Sequence, residues 1–170
     1  MDFEKIIGNE KVKKNLEAIC NSGKLAHSYM FLGIEGIGKK IIAKEFAKKI
    51  LCLNQEKGCK TCKSCIEFES DNHPDFKLIF PDGKNIKIDQ IREFQSRVYE
   101  KPVISQKKVY IIDEADLMTK EAQNCLLKTL EEPPSYVIII LIVTNENKIL
   151  NTIKSRCIKI AFSSLKNQEF

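Results

Sequence analysis

Gly33-Ile-Glu-Gly-Ile-Gly-Lys-Lys40 follows the apolar run Ser28-Tyr-Met-Phe-Leu32 and precedes Ile41, Ile42, Phe46 and Ile50, which recur at helical spacing. Strand, glycine-rich turn and helix is the setting in which a GxxxxGK pattern becomes a phosphate-binding loop. Backbone N–H groups of the turn and of the helix N-terminus then converge on phosphate oxygens. Gly33 and Gly38 stand at the required separation with Gly36 between them, and Lys39 is the point charge for the outer phosphates. The next position departs from the pattern. A Ser or Thr there gives its hydroxyl to Mg²⁺, whereas Lys40 brings a second ammonium beside the metal position. The stretch predicts a nucleotide-type loop with impaired metal-assisted hydrolysis. Two alternatives stay open: ATP or ADP bound without turnover, and a strand-to-helix turn that binds nothing.

Outward from the loop, strands alternate with helices. A helix is expected over residues 9–22, with Val12, Leu16 and Ile19 on one face and Gly23 at its end. After the loop helix, a short helical turn is expected over Ile66 to Ser70 and a strand over Phe76 to Phe80. Ile88, Ile91, Phe94 and Val98 give a helix, and Lys108 to Ile112 a strand. Thr119 can cap a helix carrying Ala122, Leu126, Leu127 and Leu130, which must stop before Pro133-Pro134. Val137 to Val143 reads as a fully buried strand, Ile149 to Lys154 as a short helix, and Cys157 to Phe162 as a final strand. The fold class is α/β: five strands in a parallel sheet with helices on both faces.

The chain has 170 residues, 43% of them hydrophobic and 30% charged, enough for one such domain and too few for two. The longest apolar run falls far short of the ~18 residues of a membrane span, and no secretory signal opens the chain. A cytoplasmic protein without membrane contact is the expectation. The net charge of +5 is spread along the chain and permits nucleic acid without demanding it.

Three further groups carry chemistry. Val109 to Ile112 ends in Asp113-Glu114, the form of a Walker B strand, in which the aspartate holds the magnesium shell and the glutamate polarises the attacking water. Capping of the next helix is the alternative role. Cys52, Cys59, Cys62 and Cys65 follow C-x6-C-x2-C-x2-C spacing, which suits a structural Zn²⁺ held by four thiolates and leaves no open position. Lys57, Lys60 and Lys63 would offset its charge, and a redox pair is the competing reading. His73, in His-Pro-Asp before a strand, is a candidate extra ligand or a loop residue. Cys20, Cys125 and Cys157 read as small buried apolar residues. Arg156, one of three arginines, stands in Ser155-Arg156-Cys157. There it could reach a neighbouring subunit's nucleotide or form a surface ion pair.

Together these residues resemble the AAA+ clamp-loader subunits of bacterial DNA polymerase III. The likeness runs from residue 3 to about 162 through Ile6-Ile-Gly-Asn-Glu10, Ala26 to Gly33, the four-cysteine insertion, Lys108 to Asp116, Ala122 to Pro134 and Ser155-Arg-Cys157. Within the family, His73-Pro-Asp75, Ile86 to Arg92 and Lys40 look like the delta-prime branch rather than gamma/tau. The resemblance implies an AAA+ domain over 1–162 with a zinc insertion at about 52–65, and a lid domain starting at 163–170. It implies an arginine finger at Arg156 acting in trans, a sensor at Thr144-Asn145, and adenine contacts at Ile7 and Gly8. It further implies gamma/tau and delta partners, and the sliding clamp and primed DNA through the assembled complex. An active gamma/tau-type ATPase and a free-standing zinc-dependent DNA-binding module are the alternatives.

Overall fold

The computed structural model describes residues 3, 6–54 and 58–163. Five strands form one sheet: β1 (Ser28–Leu32), β2 (Phe76–Ile79), β3 (Lys108–Ile112), β4 (Val137–Val143) and β5 (Ile158–Ala161). Their order is β2-β3-β4-β1-β5, and every pairing is parallel. The helices are α1 (Glu10–Ser22), α2 (Lys39–Leu51), α3 (Lys63–Glu69), α4 (Ile88–Val98), α5 (Lys120–Glu131) and α6 (Asn151–Lys154).

Strand periodicity sorts the core into two layers. Tyr29, Phe31, Val109, Ile111, Ile138, Ile140 and Ile142 point to one face, which α1 and α2 cover with Leu16, Ile42 and Phe46. Met30, Tyr110, Ile112, Ile139, Leu141 and Val143 point to the other, against Ile91 and Phe94 of α4, Leu126 of α5 and Ile153 of α6. All seven residues of β4 are buried, which explains why that strand reads as an unbroken apolar run. β2 and β5 are the edges, and each buries only one of its four residues.

Local signals set the boundaries. Gly23 ends α1 in the left-handed conformation (φ 69°). Thr119 caps α5 by accepting the Ala122 N–H at 3.1 Å. Several boundaries differ from expectation: α6 starts at Asn151 rather than Ile149, and β5 covers Ile158–Ala161 rather than Cys157 to Phe162. α3 starts at Lys63 rather than Ile66, because the Cys62 sulfur caps it by accepting the Cys65 N–H. β2 stops at Ile79, leaving Phe80 at 59% exposure beyond the paired register. Two 3-10 turns, Ala115–Leu117 and Glu146–Lys148, were not expected; each follows directly on a strand carrying candidate site residues. Gln123 of α5 binds them together, donating to Met118 O and Lys148 O and accepting from Leu150 N–H. Among the described residues, no helix is long and apolar enough to cross a membrane.

Candidate nucleotide site and cysteine cluster

The central strand β1 delivers Gly33 to the carboxyl end of the sheet, where open α/β folds place their ligands. Gly33 N–H donates to Val143 O at 3.2 Å. A side chain at Gly33 would meet Phe162 Cβ at 2.9 Å, so this close packing needs glycine. Gly36 and Gly38 have φ of +78° and +97°, the left-handed turns that let the loop curl over the start of α2. A cavity of about 320 Å³ lies against this loop, lined among others by Gly36, Gly38, Lys39, Lys40, Asp113 and Thr144. Lys39 is 6% exposed. Its ammonium donates to Gly33 O, to Ile34 O at 3.0 Å and to Thr144 Oγ1 at 3.3 Å. Burial lowers its pKa, and the carboxylates of Asp116, Asp113 and Glu35 oppose that shift.

Lys40 turns across to β3, its Nζ lying 3.3 Å from Asp113 Oδ2. Glu114 also lines the cavity and adopts a left-handed backbone (φ 49°) at the head of the 3-10 turn, where its N–H donates to Asp113 Oδ1. Glu114 makes no side-chain cap of that turn, and Thr119 is the cap of α5. Asp116 Oδ2 accepts the Asn145 N–H at 3.0 Å, which fastens the end of β4 to the end of β3. Thr144 is therefore at the loop, and Asn145 is one residue beyond it. Ile7, 80% exposed, and Gly8 (φ +88°) are not among the residues lining the cavity.

Arg156 lies away from the cavity, just past α6. Its Nη1 donates to Thr152 O at 2.8 Å and its Nη2 is 3.3 Å from Glu131 Oε1. The surface ion pair foreseen as an alternative is thus present within the chain.

The four cysteines converge. Their sulfurs all lie within 4.8 Å of one another, with Cys52–Cys59 at 3.6 Å and Cys52–Cys62 and Cys59–Cys65 at 3.9 Å. A tetrahedral zinc with Zn–S bonds of about 2.3 Å requires sulfurs roughly 3.8 Å apart. The residues fit such an ion. Backbone N–H groups of Thr61 and Cys62 bring the Cys59 thiol down to about 5, whereas burial pushes Cys65 up to about 12. A divalent cation would have to displace the Cys65 proton on binding. Lys57 lies outside the described residues, as do residues 164–170, where the start of a lid was expected.

His73, considered above as an extra ligand or a loop residue, instead holds this insertion in place through hydrogen bonds. His73 is 6% exposed. Its Nδ1 accepts the Asp75 N–H at 3.0 Å and its Nε2 lies 2.8 Å from Ser64 Oγ. Ser64 and Ser105 both donate to Leu51 O at 2.6 Å. Asp75 accepts the N–H groups of Val103, Ile104 and Ser105 at 2.6–2.8 Å. The end of α2, the start of α3 and the entry to β3 meet here. Among the described residues His73 is outside the metal-ligating group. Cys20 is buried, but Cys125 and Cys157 are only partly so. Cys125 is also polar in its bonding, donating to Gln95 Oε1 at 3.0 Å, because both lie where α4 packs on α5.

Fold and site together define an AAA+-type domain with a phosphate loop. The family described as "DNA polymerase III, delta subunit" matches residues 8–166. DNA polymerase III subunit delta' of Bacillus subtilis is 40% identical over 156 residues, 91% of this chain and 47% of that protein. DNA polymerase III subunit gamma/tau of Mycoplasma genitalium is 39% identical over 167 residues, 97% of this chain and 28% of that protein. A solved gamma-subunit-related protein from Thermotoga maritima superposes with a TM-score of 0.62 at 25% identity, covering 90% of this chain and 47% of that one. The Holliday junction branch migration motor RuvB of the same organism shares the fold, at a TM-score of 0.57 and 20% identity over 95% of this chain and 47% of its own. The chain belongs to the DNA polymerase III clamp-loader subunit family that comprises delta' and gamma/tau. It spans about half the length, or less, of these relatives.

Proposed function

We propose that the chain is the AAA+ domain (1–162) of a delta-prime-type clamp-loader subunit, with 163–170 beginning a lid, and that it hydrolyses little or no ATP itself. The observation that carries this reading is the Lys40–Asp113 pair, 3.3 Å apart. One ion pair occupies both positions from which a working ATPase holds its magnesium. Asp113 and Glu114 are then vestigial as catalysts. Ile7, Gly8, Thr144 and Asn145 are nucleotide contacts at most in the presence of further domains. The productive chemistry passes to Arg156 as a finger offered to the nucleotide of an adjacent gamma/tau subunit. Its partial exposure and planar fork suit it to that role. Cys52, Cys59, Cys62 and Cys65 hold a structural zinc. The proposed setting is a cytoplasmic ring with gamma/tau and delta that acts on the sliding clamp and primed DNA.

Reconstituted rings carrying Arg156→Ala should still assemble but lose DNA-stimulated turnover at the adjoining site, where a finger contributes roughly 10³-fold or more. Unchanged turnover removes the assignment. A gamma/tau-type ATPase is the second reading, supported by the 39% identity to the Mycoplasma genitalium subunit. Magnesium-dependent hydrolysis by the purified protein alone, abolished by Glu114→Gln, would establish it.

A further inference from the structure

We propose that the cavity beside Lys39 takes a nucleoside polyphosphate without a divalent cation, the Lys40 ammonium standing where the metal would. The inference rests on the reading of the loop as nucleotide-type, and is independent of what Arg156 does.

Magnesium does not fit the residues present. It demands a near-octahedral shell of oxygens at about 2.0–2.1 Å. In the loop motif one of those oxygens is a hydroxyl at position 40, and the chain has an amine there. A second comes from the strand-end aspartate, and Asp113 Oδ2 is engaged by that same amine at 3.3 Å. Asp116, the next carboxylate on this edge, holds the Asn145 N–H through Oδ2. A magnesium ion entering here would have to break the Lys40 pair and then sit beside the displaced ammonium, a like charge.

The phosphate-binding half of the site is nevertheless intact. The left-handed glycines Gly36 and Gly38 shape the loop. A buried ammonium, Lys39, lies on the cavity wall with its donors on Gly33 O, Ile34 O and Thr144 Oγ1. Phosphate oxygens can replace those acceptors without moving the side chain out of the loop. Lys40 is about half exposed, so its long stem can swing from Asp113 to a phosphate and carry the neutralising charge itself. A fixed monovalent cation cannot bridge the outer two phosphates as magnesium does. The site should therefore discriminate poorly between di- and triphosphate, and it should weaken with salt.

The test is titration of a fluorescent ADP analogue into the purified protein, in EDTA and in excess magnesium, with ATP and ADP as competitors. The expected dissociation constant agrees within about twofold between the two conditions. Lys40→Thr should bind about tenfold more weakly in EDTA and recover in magnesium, because the hydroxyl restores the missing ligand and Asp113 is released. Asp113→Asn, which frees Lys40 for phosphate, should bind in EDTA at least as tightly as the parent. Several outcomes overturn the proposal: no binding by the parent in either condition, a tenfold or greater gain from magnesium, a Lys40→Thr variant that behaves as the parent, or loss of binding in Asp113→Asn. Thermal melts of both variants establish that they are folded. None of these outcomes bears on ring turnover by Arg156→Ala, so the two readings fail separately.

Discussion

At the scale of single residues, His73 shows how much one side chain can hold that the sequence does not advertise. Its Nδ1 accepts a backbone N–H, so the neutral ring carries its proton on Nε2 and donates it to Ser64 Oγ. Protonating Nδ1 would destroy the bond it accepts from the Asp75 N–H. Burial accordingly lowers its pKa below the ordinary 6.5. The sign for stability follows. Above about 6.5 the ring is neutral whether the chain is folded or not; below it the unfolded chain binds a proton that the folded chain resists, so stability falls with pH. Urea midpoints measured between about pH 8 and pH 5 should decline across this window, and His73→Gln should flatten that part of the decline while costing about 1–3 kcal/mol at neutral pH. Equal slopes in the two proteins would reject the assignment. Lys40 was legible because a motif defines what belongs at its position. The bonding of His73 was not, because its partners Ser64 and Ser105 lie nine residues before it and 32 after. Arg156 and Glu131 are likewise separated in sequence, and only the packing of α6 beside α5 brings them together.

At the scale of elements, the helices and strands were readable wherever burial imposes a period. The stretches that escaped are those shaped by hydrogen bonds instead: the two 3-10 turns, and the first turn of α3. The latter begins early because a cysteine sulfur serves as its cap, a use of cysteine that propensity does not anticipate. The same sulfur belongs to the four-cysteine cluster, so the helix start and the proposed zinc site form one unit. Cys52→Ser should therefore drop bound zinc well below one per chain and lower the melting temperature by several degrees, 1 kcal/mol being worth about 2–4 °C in a domain of this size. A chelator should produce the same shift in the parent protein. Full zinc content in the variant would show that Cys52 is not a ligand. The far-ultraviolet circular dichroism should stay close to the parent's, because the sheet and its two apolar layers are built without the insertion.

At the scale of the whole molecule, the parallel sheet and its two covered faces were legible from alternation alone, while the order of strands was not, since no local pattern says which neighbour a buried strand takes. That order places Phe162 against Gly33, and Ser163 N–H on Asn9 Oδ1 at 2.9 Å. Gly33→Ala would drive a methyl group into the Phe162 Cβ, and should cost about 1–3 kcal/mol in denaturant titrations; a neutral result would mean that this packing is loose. The strand order also fixes a schedule. β1 lies between β4 and β5, both contributed by residues beyond 136. During synthesis β2 and β3 can pair as soon as they emerge, but the strand made first has no partner until Val137 and the residues after it arrive. The glycine loop hangs from that strand through Gly33 and Val143. It is early in the sequence and late in folding: Tyr29, Met30 and Phe31 stay without strand partners until β4 has been made.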